Sequence, residues 1–432
     1  MNPSNSMQTE KQKILKLSGH RPIGILGAGV TAKGISQFLH RHAIPYELYD
    51  QDLSRGSLFE EKHAKRHSLI LCSPSFMSQH PWVQLAKAAG CHCLQEFDFS
   101  SRFTRAKLIG ITGTNGKTTT VAFLAHALEA LGFRSFAAGN IGSPLSQVLA
   151  SDDPPRTDDW IVCEISSTQA ECIQNTPLQA LIWTNFAPNH LHEHGNLRQY
   201  FLAKYHLLSS LKQAQFFCGK SVSDYASTFQ CALPNFTQVR QPSPKDKRWI
   251  TTVFDLAPQK ENIALIQGFW EQQGWPLETL LKAAHTFKSL PYRLQRLSRI
   301  HGRTFWNDAK STTFSSTIAA FHQFKTPILW IGGGRDKGEP KDLFLEEIER
   351  HVAHAYLIGE EGEILYPLLK KRAVAATFSQ TLEQALEDAM AHPPIEKDDT
   401  TILFSPGYPS FDQFKNFADR GEKFTKLIFS LS

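Results

Sequence analysis

The stretch AKLIGITGTNGKTTT, Ala106–Thr120, runs from an apolar segment through a glycine-rich turn into a string of threonines. The apolar part is typical of a buried strand, and the residues after the turn carry Val121, Leu124 and Leu128 at helical spacing. A glycine turn between a strand and a helix lets backbone N–H groups surround phosphate oxygens at the positive end of the helix. The sequence therefore predicts a phosphate-binding loop, made of Gly113, Thr114, Asn115, Gly116, Lys117, Thr118 and Thr119.

Two side chains of this loop are predicted to carry its chemistry. Lys117 is placed to reach the β- and γ-phosphates of a nucleotide, and the Thr118 hydroxyl to bind Mg²⁺. The strict GxxxxGK[ST] pattern fails, because Ile111 stands at its first glycine position. A glycine turn with an incidental lysine is the alternative interpretation.

The strands that follow end in polar residues. WIVCEIS places Glu164 at a strand end, and ALIWTNF leads into NHLHEHG, Asn189–Gly195. The carboxyl ends of parallel strands face one ligand crevice, so Glu164 is predicted to hold Mg²⁺, although a solvated acid fits the same position.

The three histidines of NHLHEHG allow three interpretations. Zinc needs three or four converging ligands, but on a helix His190 and His194 share a face while His192 points elsewhere. The other two interpretations are a histidine cluster without function and a single histidine at a magnesium–phosphate site. Lys204, in QYFLAKYHLL, is ordinarily a solvated helical lysine, and an unmodified ammonium beside magnesium would repel the ion.

The N-terminal part alternates strands and helices from Arg21. Gly27-Ala28-Gly29 resembles the start of a dinucleotide fingerprint, but Ala32 stands where the third glycine belongs. Asp50 ends the next strand, where an acid can hold ribose hydroxyls. This pattern favours nucleotide binding over NAD binding.

Composition limits the class of protein. The chain has 432 residues, 41% of them hydrophobic, and a net charge of +5, which gives no strong argument for nucleic acid or a membrane surface. Seven cysteines without a CxxC pair indicate reduced thiols in the cytoplasm. No signal peptide or membrane span is expected, and residues 1–20 are predicted to form a disordered tail.

The pattern as a whole predicts three α/β units in series. Their expected limits are residues 21–105, 106–290 and 291–432. Within the second unit, the polar region from Lys212 to Lys260 shows little hydrophobic periodicity. The third unit begins near Leu290-Pro291 and contains strands in RTFWNDAKST, PILWIGGGRDKG and TTILFSPG.

The motifs taken together resemble those of the Mur ligases. They are GITGTNGKTTT, GNIGSPL, EISSTQAE, NHLHEHG with QYFLAK, LPYRLQ, NDAKST and SPGYPSFDQFKNFADRG, and they occur in the order found in that family. The resemblance covers nearly everything from Arg21 onward, and GNIG with the closing motif is similar to the D-glutamate-adding branch. It implies a Rossmann-like N-terminal domain, a central ATPase-like domain with a parallel sheet, and a Rossmann-like C-terminal domain.

The resemblance also implies an activity: ATP-dependent ligation of D-glutamate to UDP-N-acetylmuramoyl-L-alanine through an acyl phosphate, by a cytoplasmic monomer using two magnesium ions. In that scheme Glu164 and His190 bind magnesium, and Lys204 matches a lysine that is carbamylated in the family. The residues implied for the substrates fall into three groups: Val30, Thr31, Asp50, Gln51 and Ser73 around the UDP group, with Asn140 at the muramoyl peptide; Asn262, Arg293, Asp308 and Lys310 on the ATP side; and Thr312, Lys337, Ser410 and Phe417 around D-glutamate.

Some positions depart from the family pattern. Tyr292 stands where a histidine is common, and Gly407 and Pro409 alter the loop that presents Ser410. Asn189 stands where some members carry an acid. Two alternatives stay open: another amide ligase of the same family, and a phosphate-loop ATPase or kinase with a regulatory nucleotide domain.

Overall fold

The computed structural model describes residues 3–140, 142–174, 176–189, 191–211, 215–243, 246–255, 259–336, 338, 340–395 and 400–431, and only the backbone of residues 3–6 and 192. Within these residues the chain forms three sheets, each flanked by helices. None of the described helices is long and apolar enough to cross a membrane.

The first sheet has four parallel strands in the order β2-β1-β3-β4. Because β1 lies between β2 and β3, the chain turns in opposite directions on its two sides, and the loop after β1 opens into a crevice. The elements of this part are α1 Pro3–Leu17, β1 Ile23–Leu26, α2 Val30–Arg41, β2 Tyr46–Tyr49, α3 Glu61–Ala64, β3 Leu69–Cys72, α4 Pro81–Ala88, β4 His92–Gln95 and α5 Glu96–Ser101.

Helix α1 corrects the prediction of a disordered tail. Ile14 is completely buried, and the Glu10 carboxylate lies 3.0 Å from Nε2 of His42, the residue that ends α2. The sequence before Ile14 is polar, so its composition alone suggested disorder, but the burial of Ile14 and the hydrogen bond between Glu10 and His42 attach the helix to the protein.

The second sheet has six parallel strands in the order β10-β9-β8-β5-β7-β6. Strand β5 lies between β7 and β8 and is buried almost throughout, as expected for a strand covered on both faces. The elements are β5 Lys107–Thr112, α6 Lys117–Ala130, β6 Ser135–Gly139, α7 Leu145–Leu149, β7 Trp160–Glu164, α8 Ser167–Cys172, β8 Leu178–Trp183, α9 Leu191–His194, α10 Leu197–Tyr205, a 3₁₀ helix at His206–Ser210, β9 Gln215–Gly219, α11 Lys220–Thr228, β10 Thr237–Arg240, α12 Gln259–Gln272 and α13 Leu277–Thr286.

The third sheet also has six strands, in the order β11-β12-β16-β13-β14-β15, and only the pair β11–β12 is antiparallel. Its elements are β11 Gln295–Ile300, β12 Arg303–Asn307, α14 Phe314–Phe321, β13 Ile328–Gly333, α15 Asp342–His351, β14 Val352–Ile358, α16 Gly359–Lys371, β15 Ala376–Gln380, α17 Leu382–Ala391, β16 Thr400–Gly407 and α18 Phe417–Phe429.

Alternate residues of this sheet belong to two separate cores. On β13, Trp330 packs with α14, α15 and α16, whereas Leu329 and Ile331 pack with α17 and α18. Side chains of a strand point alternately to its two faces, so the apolar run ILWI supplies both cores. The three-domain α/β fold predicted from the sequence is confirmed.

The chain divides into two compact units. The first contains Met1–Phe186, Arg198–Thr252 and Glu261–Phe287, and so includes the first two sheets. The second contains Ala187–Leu197, Val253–Lys260 and Lys288–Ser432, and so includes the third sheet.

Candidate active site

The predicted phosphate loop lies between β5 and α6, as the sequence indicated. Gly113 has φ 144° and Gly116 has φ 81°, backbone conformations that L side chains rarely adopt. A Cβ at Gly113 would overlap Oγ1 of Thr184, and one at Gly116 would lie 2.5 Å from the carboxamide of the buried Asn262. Glycine is therefore required at both positions, by the backbone conformation and by the lack of space for a Cβ atom.

The end of strand β8 holds the loop in place. The Thr114 amide donates to the Asn185 carbonyl at 3.0 Å, and the Asn115 amide donates to Asn185 Oδ1 at 2.9 Å. Thr184 Oγ1 donates to the Asn115 carbonyl at 2.6 Å. The loop is thus fixed by hydrogen bonds within the protein, and the residues that fix it, Thr184 and Asn185, were missed by the sequence reasoning.

The lysine and the first helical threonine of the loop have defined partners. Lys117 Nζ donates to the carbonyls of Gly113 and Thr114, both at 2.9 Å, so its ammonium lies beside the loop. Thr118 Oγ1 donates to Glu164 Oε2 at 2.7 Å, and Glu164 is 2% exposed. Since Ile111 of β5 pairs with Glu164 of β7, the register of the sheet brings the two predicted magnesium ligands together.

Lys204 is buried in the same place. It is 1% exposed, its Nζ donates to Thr112 Oγ1 at 3.3 Å, and the ammonium lies 5.1 Å from the ring centre of Tyr200. Burial, and after it the charge of Lys117, holds the pKa of the Lys204 amine well below its usual range, while Glu164 acts in the opposite direction. A solvated helical lysine is therefore the wrong interpretation, and burial shifts the amine towards its neutral form.

The donor set suits a hard divalent cation. The Thr118 hydroxyl and the Glu164 carboxylate are adjacent oxygen donors, the ligand type that Mg²⁺ prefers. His190, the other predicted magnesium ligand, lies outside the described residues, as does the side chain of His192. Lys204 as an amine offers no oxygen, so it fits such a site only after modification.

Two further predicted residues lie in this first unit near the loop. Asn140 is exposed after β6, and its amide donates to the Glu164 carbonyl at 2.9 Å. Thr119 is buried on α6. Contacts of Thr119 and Asn262 with ATP, and of Asn140 with a muramoyl peptide, stay predictions.

A separate pocket of about 380 Å³ lies at the carboxyl end of β1. It brings together four of the residues predicted to surround the UDP group, Val30, Thr31, Asp50 and Ser73. Asp50 Oδ2 accepts the Ala28 amide at 2.6 Å, which ties the end of β2 to the glycine turn. Arg55 also lines the pocket and was missed, because it follows the strand in an irregular segment, whereas Gln51 is exposed and is not among the described lining residues.

In the second unit, Asp308 is buried and accepts three hydrogen bonds, from the hydroxyls of Ser311 and Ser405 and from the Leu294 amide. Burial raises the pKa of its carboxyl to about 6, against these hydrogen bonds. These bonds order the loops around Asp308, and its predicted contact with ATP stays a prediction, as does that of Arg293.

Of the residues implied for D-glutamate, Thr312 and Ser410 lie on loops of the same unit and Phe417 begins α18, beside Lys310 of the ATP group. Lys310 Nζ lies 3.7 Å from the ring centre of Phe417, Ser410 is 2% exposed, and Thr312 is half-buried. Lys337 lies outside the described residues.

Buried Arg420, which the sequence reasoning did not single out, joins these loops by donating to the carbonyls of Ala309 and Tyr408, both at 3.0 Å. The departure at Gly407 is explained by its φ of 77°.

Comparisons with known proteins decide the family. A model of the Mur ligase middle domain matches residues 111–272. A UDP-N-acetylmuramoylalanine–D-glutamate ligase of Chlamydia caviae is 31% identical over 432 residues, which cover 95% of this chain and 98% of that protein. The chain belongs to the Mur ligase family.

Solved Mur ligase structures share the fold over most of their length. UDP-N-acetylmuramate-alanine ligase of Thermotoga maritima has a TM-score of 0.59 at 14% identity, covering 96% of this chain and all of that one. MurF ligase from the same organism, solved with ADP, has a TM-score of 0.55 at 14% identity, covering 87% and 98%. At this identity the likeness concerns the fold alone. The family assignment confirms an ATP-dependent enzyme that forms amide bonds.

Proposed function

We propose that this Mur ligase joins D-glutamate to UDP-N-acetylmuramoyl-L-alanine, with ATP as the energy source, in the synthesis of peptidoglycan precursors. The observation that carries the reaction type is the cluster of Lys117, Thr118, Glu164 and Lys204 at one edge of the central sheet. Lys117 and Thr118 belong to the predicted phosphate loop, and Thr118 joins this loop to Glu164. The choice of substrates is supported by the 31% identical relative that carries this name.

The chemistry follows from the poor reactivity of a carboxylate. An oxygen of the L-alanine carboxylate attacks the γ-phosphorus, and the bond from that phosphorus to ADP breaks. The D-glutamate amine then attacks the acyl carbon, phosphate leaves with the former carboxylate oxygen, and the amine loses a proton. Loop amides and Lys117 stabilise the charge on the transferred phosphoryl group, chiefly by position and electrostatics.

Thr118 and Glu164 would hold magnesium in this site. His190 and carbamylated Lys204 would supply further ligands, so that the site would bind two magnesium ions. Such ions supply charge neutralisation on the phosphate oxygens. The loop orients the nucleotide, and Asn185 keeps the loop amides in place.

Lys204 is proposed to be carbamylated. A neutral amine attacks the carbon of CO₂, an N–C bond forms, and one amine proton passes to solvent, leaving an N-carboxylate. The lowered pKa of Lys204 favours the reactive neutral amine, and the product is an anion with the oxygens that magnesium requires. The modification removes the repulsion between an ammonium and the metal ions.

The carbamate is tested by ¹³C NMR after incubation with ¹³C-bicarbonate. We expect a carbamate signal in the wild type and in Lys220→Met, which removes an exposed lysine of the same unit, and none in Lys204→Met. A signal that persists in Lys204→Met, or none in the wild type, would refute the modification.

The substrates are assigned to separate places. The UDP group is proposed to occupy the pocket of Val30, Thr31, Asp50 and Ser73, where Arg55 supplies a positive charge for its phosphates. D-Glutamate is proposed to bind Thr312, Lys337, Ser410 and Phe417. Lys337 suits a carboxylate as a point charge.

The function is tested by phosphate release with ATP, magnesium and UDP-N-acetylmuramoyl-L-alanine, with and without D-glutamate. We expect release that depends on D-glutamate and is not restored by L-alanine, L-lysine or diaminopimelate. Release that is unchanged without any amino acid would indicate a phosphate-loop ATPase or kinase. Release restored by a different amino acid would indicate another amide ligase of the family.

We also propose a cytoplasmic monomer. Its cysteines are free thiols in the structure, as expected in a reducing compartment. Light scattering on the purified chain tests the monomer directly.

A further inference from the structure

A group of two imidazoles and one carboxylate lies on the outer helices of the C-terminal part, apart from every residue assigned above. His322 ends α14, and Glu347 and His351 stand four residues apart on α15. Residues at that spacing share one face of a helix. In the part of the chain that the structure describes, this is the one group of histidine, cysteine or acidic residues placed to share a metal ion.

Both imidazoles point at the same carboxylate oxygen. His322 Nε2 lies 2.7 Å from Glu347 Oε2, and His351 Nε2 lies 3.4 Å from it. The three ligand atoms lie within 4.8 Å of one another. In a tetrahedral zinc site with bonds of about 2.0–2.1 Å, neighbouring ligand atoms are roughly 3.3 Å apart. The two N···O distances therefore need to change by less than about 1 Å, and the distance between the two nitrogens by about 1.5 Å at most.

Of the two Glu347 oxygens, Oε2 is the one placed to bind a metal ion. Arg350 Nη1 lies 2.7 Å from the other oxygen, Oε1, and orients the carboxylate with Oε2 towards the histidines. The Glu347 side chain is 8% exposed, whereas those of His351 and His322 are 28% and 52% exposed. A buried acid below two accessible imidazoles leaves a path for an ion from solvent.

The two rings lie with their centres 4.9 Å apart. Two imidazole nitrogens and one carboxylate oxygen match a borderline divalent cation, which accepts nitrogen and oxygen ligands together.

We propose that His322, Glu347 and His351 form a Zn²⁺ site, with water in the fourth position. The ion ties the end of α14 to α15, two helices that already share the stacked rings of Phe314 and Phe344 at 4.3 Å. Thr312 lies in the loop that enters α14, so the ion stabilises the part of the C-terminal domain that carries this loop. The site is independent of the ligase reaction proposed above.

The test is calorimetric titration of Zn²⁺ into the full chain, first stripped of metals with a chelator and then saturated with Mg²⁺ to occupy oxygen-rich sites. The variants are His322→Ala and His351→Ala. The matched control is the double variant His354→Gln/His392→Gln, which removes two neighbouring imidazoles, 5.3 Å apart, from the same domain.

We expect the wild type and the control to bind one equivalent of Zn²⁺ that each single variant binds at least ~10-fold more weakly. Thermal unfolding gives a second readout, because a ligand that binds only the native state raises the melting temperature. His322 is half exposed, so its variant retains the fold. Identical isotherms in all four proteins, or no binding by the wild type, would overturn the proposal.

Discussion

At the scale of single residues, the phosphate loop depends on space as much as on charge. Gly113 must leave room for the Thr184 hydroxyl, and that hydroxyl in turn holds the Asn115 carbonyl. The sequence predicted the loop and its lysine, since both are local features. It could not predict Thr184 and Asn185 as loop supports, because their contact follows from β8 lying beside β5.

Gly113→Ala is expected to lower kcat/KM for ATP on the order of 10²-fold, because a displaced loop misplaces the phosphates. Gly132→Ala is the matched control: Gly132 also has a positive φ, 89°, but a Cβ there meets open space. Steady-state kinetics of the two variants decide the matter, and equal losses would show that space at the loop is not the cause.

Asp308 gives a pH-dependent stability. Its pKa rises from 3.8 to about 6 in the folded protein, so the folded state binds more protons than the unfolded state between these values. Stability supplied by the protonated carboxyl is therefore present in acid and is lost as the pH rises through about 6.

Urea unfolding of the wild type and Asp308→Asn at pH 5 and pH 7.5 measures this effect. We expect the stability of the wild type relative to the variant to fall by about 1 kcal/mol over that range. A difference between the proteins that is independent of pH would contradict the assignment to Asp308.

At the scale of elements, strands with apolar runs and the glycine turns between strand and helix were predictable. Hydrophobic periodicity and turn-forming residues are visible in short stretches of sequence. Helix α1 was not predictable, since its sequence is mostly polar and its attachment, for example through Ile14 and Glu10, involves residues distant in sequence. Strand β9 was missed within the polar region from Lys212, although its Phe216, Phe217 and Cys218 are completely buried.

Ile14→Ala tests the corrected status of α1. Removing a buried isoleucine side chain is expected to cost about 2–5 kcal/mol of unfolding free energy. Lys13→Ala, on the exposed side of the same helix, is expected to change it by less than ~0.5 kcal/mol. If chemical denaturation gives both variants the stability of the wild type, α1 does not pack as described.

At the scale of the whole molecule, each of the three sheets has predicted site residues at its carboxyl edge or in the segments beside it. The edge of the first forms the pocket at Asp50, and the edge of the second carries the predicted phosphate loop, Glu164 and Lys204. The loops of the third carry Lys310 and Ser410, with Phe417 at the start of α18. Sequence motifs predicted most of these residues as site residues. The partners that hold them, such as Arg420, emerge only when the chain is folded, because they join segments distant in sequence.

In the proposed reaction, ATP activates the L-alanine carboxylate before the D-glutamate amine attacks it. The most direct measurement uses UDP-N-acetylmuramoyl-L-alanine labelled with ¹⁸O in both carboxylate oxygens, and mass spectrometry of the phosphate released with ATP and D-glutamate. We expect one ¹⁸O atom in each phosphate and one in each new amide. Phosphate without ¹⁸O, at a normal yield of amide, would contradict the acyl-phosphate route.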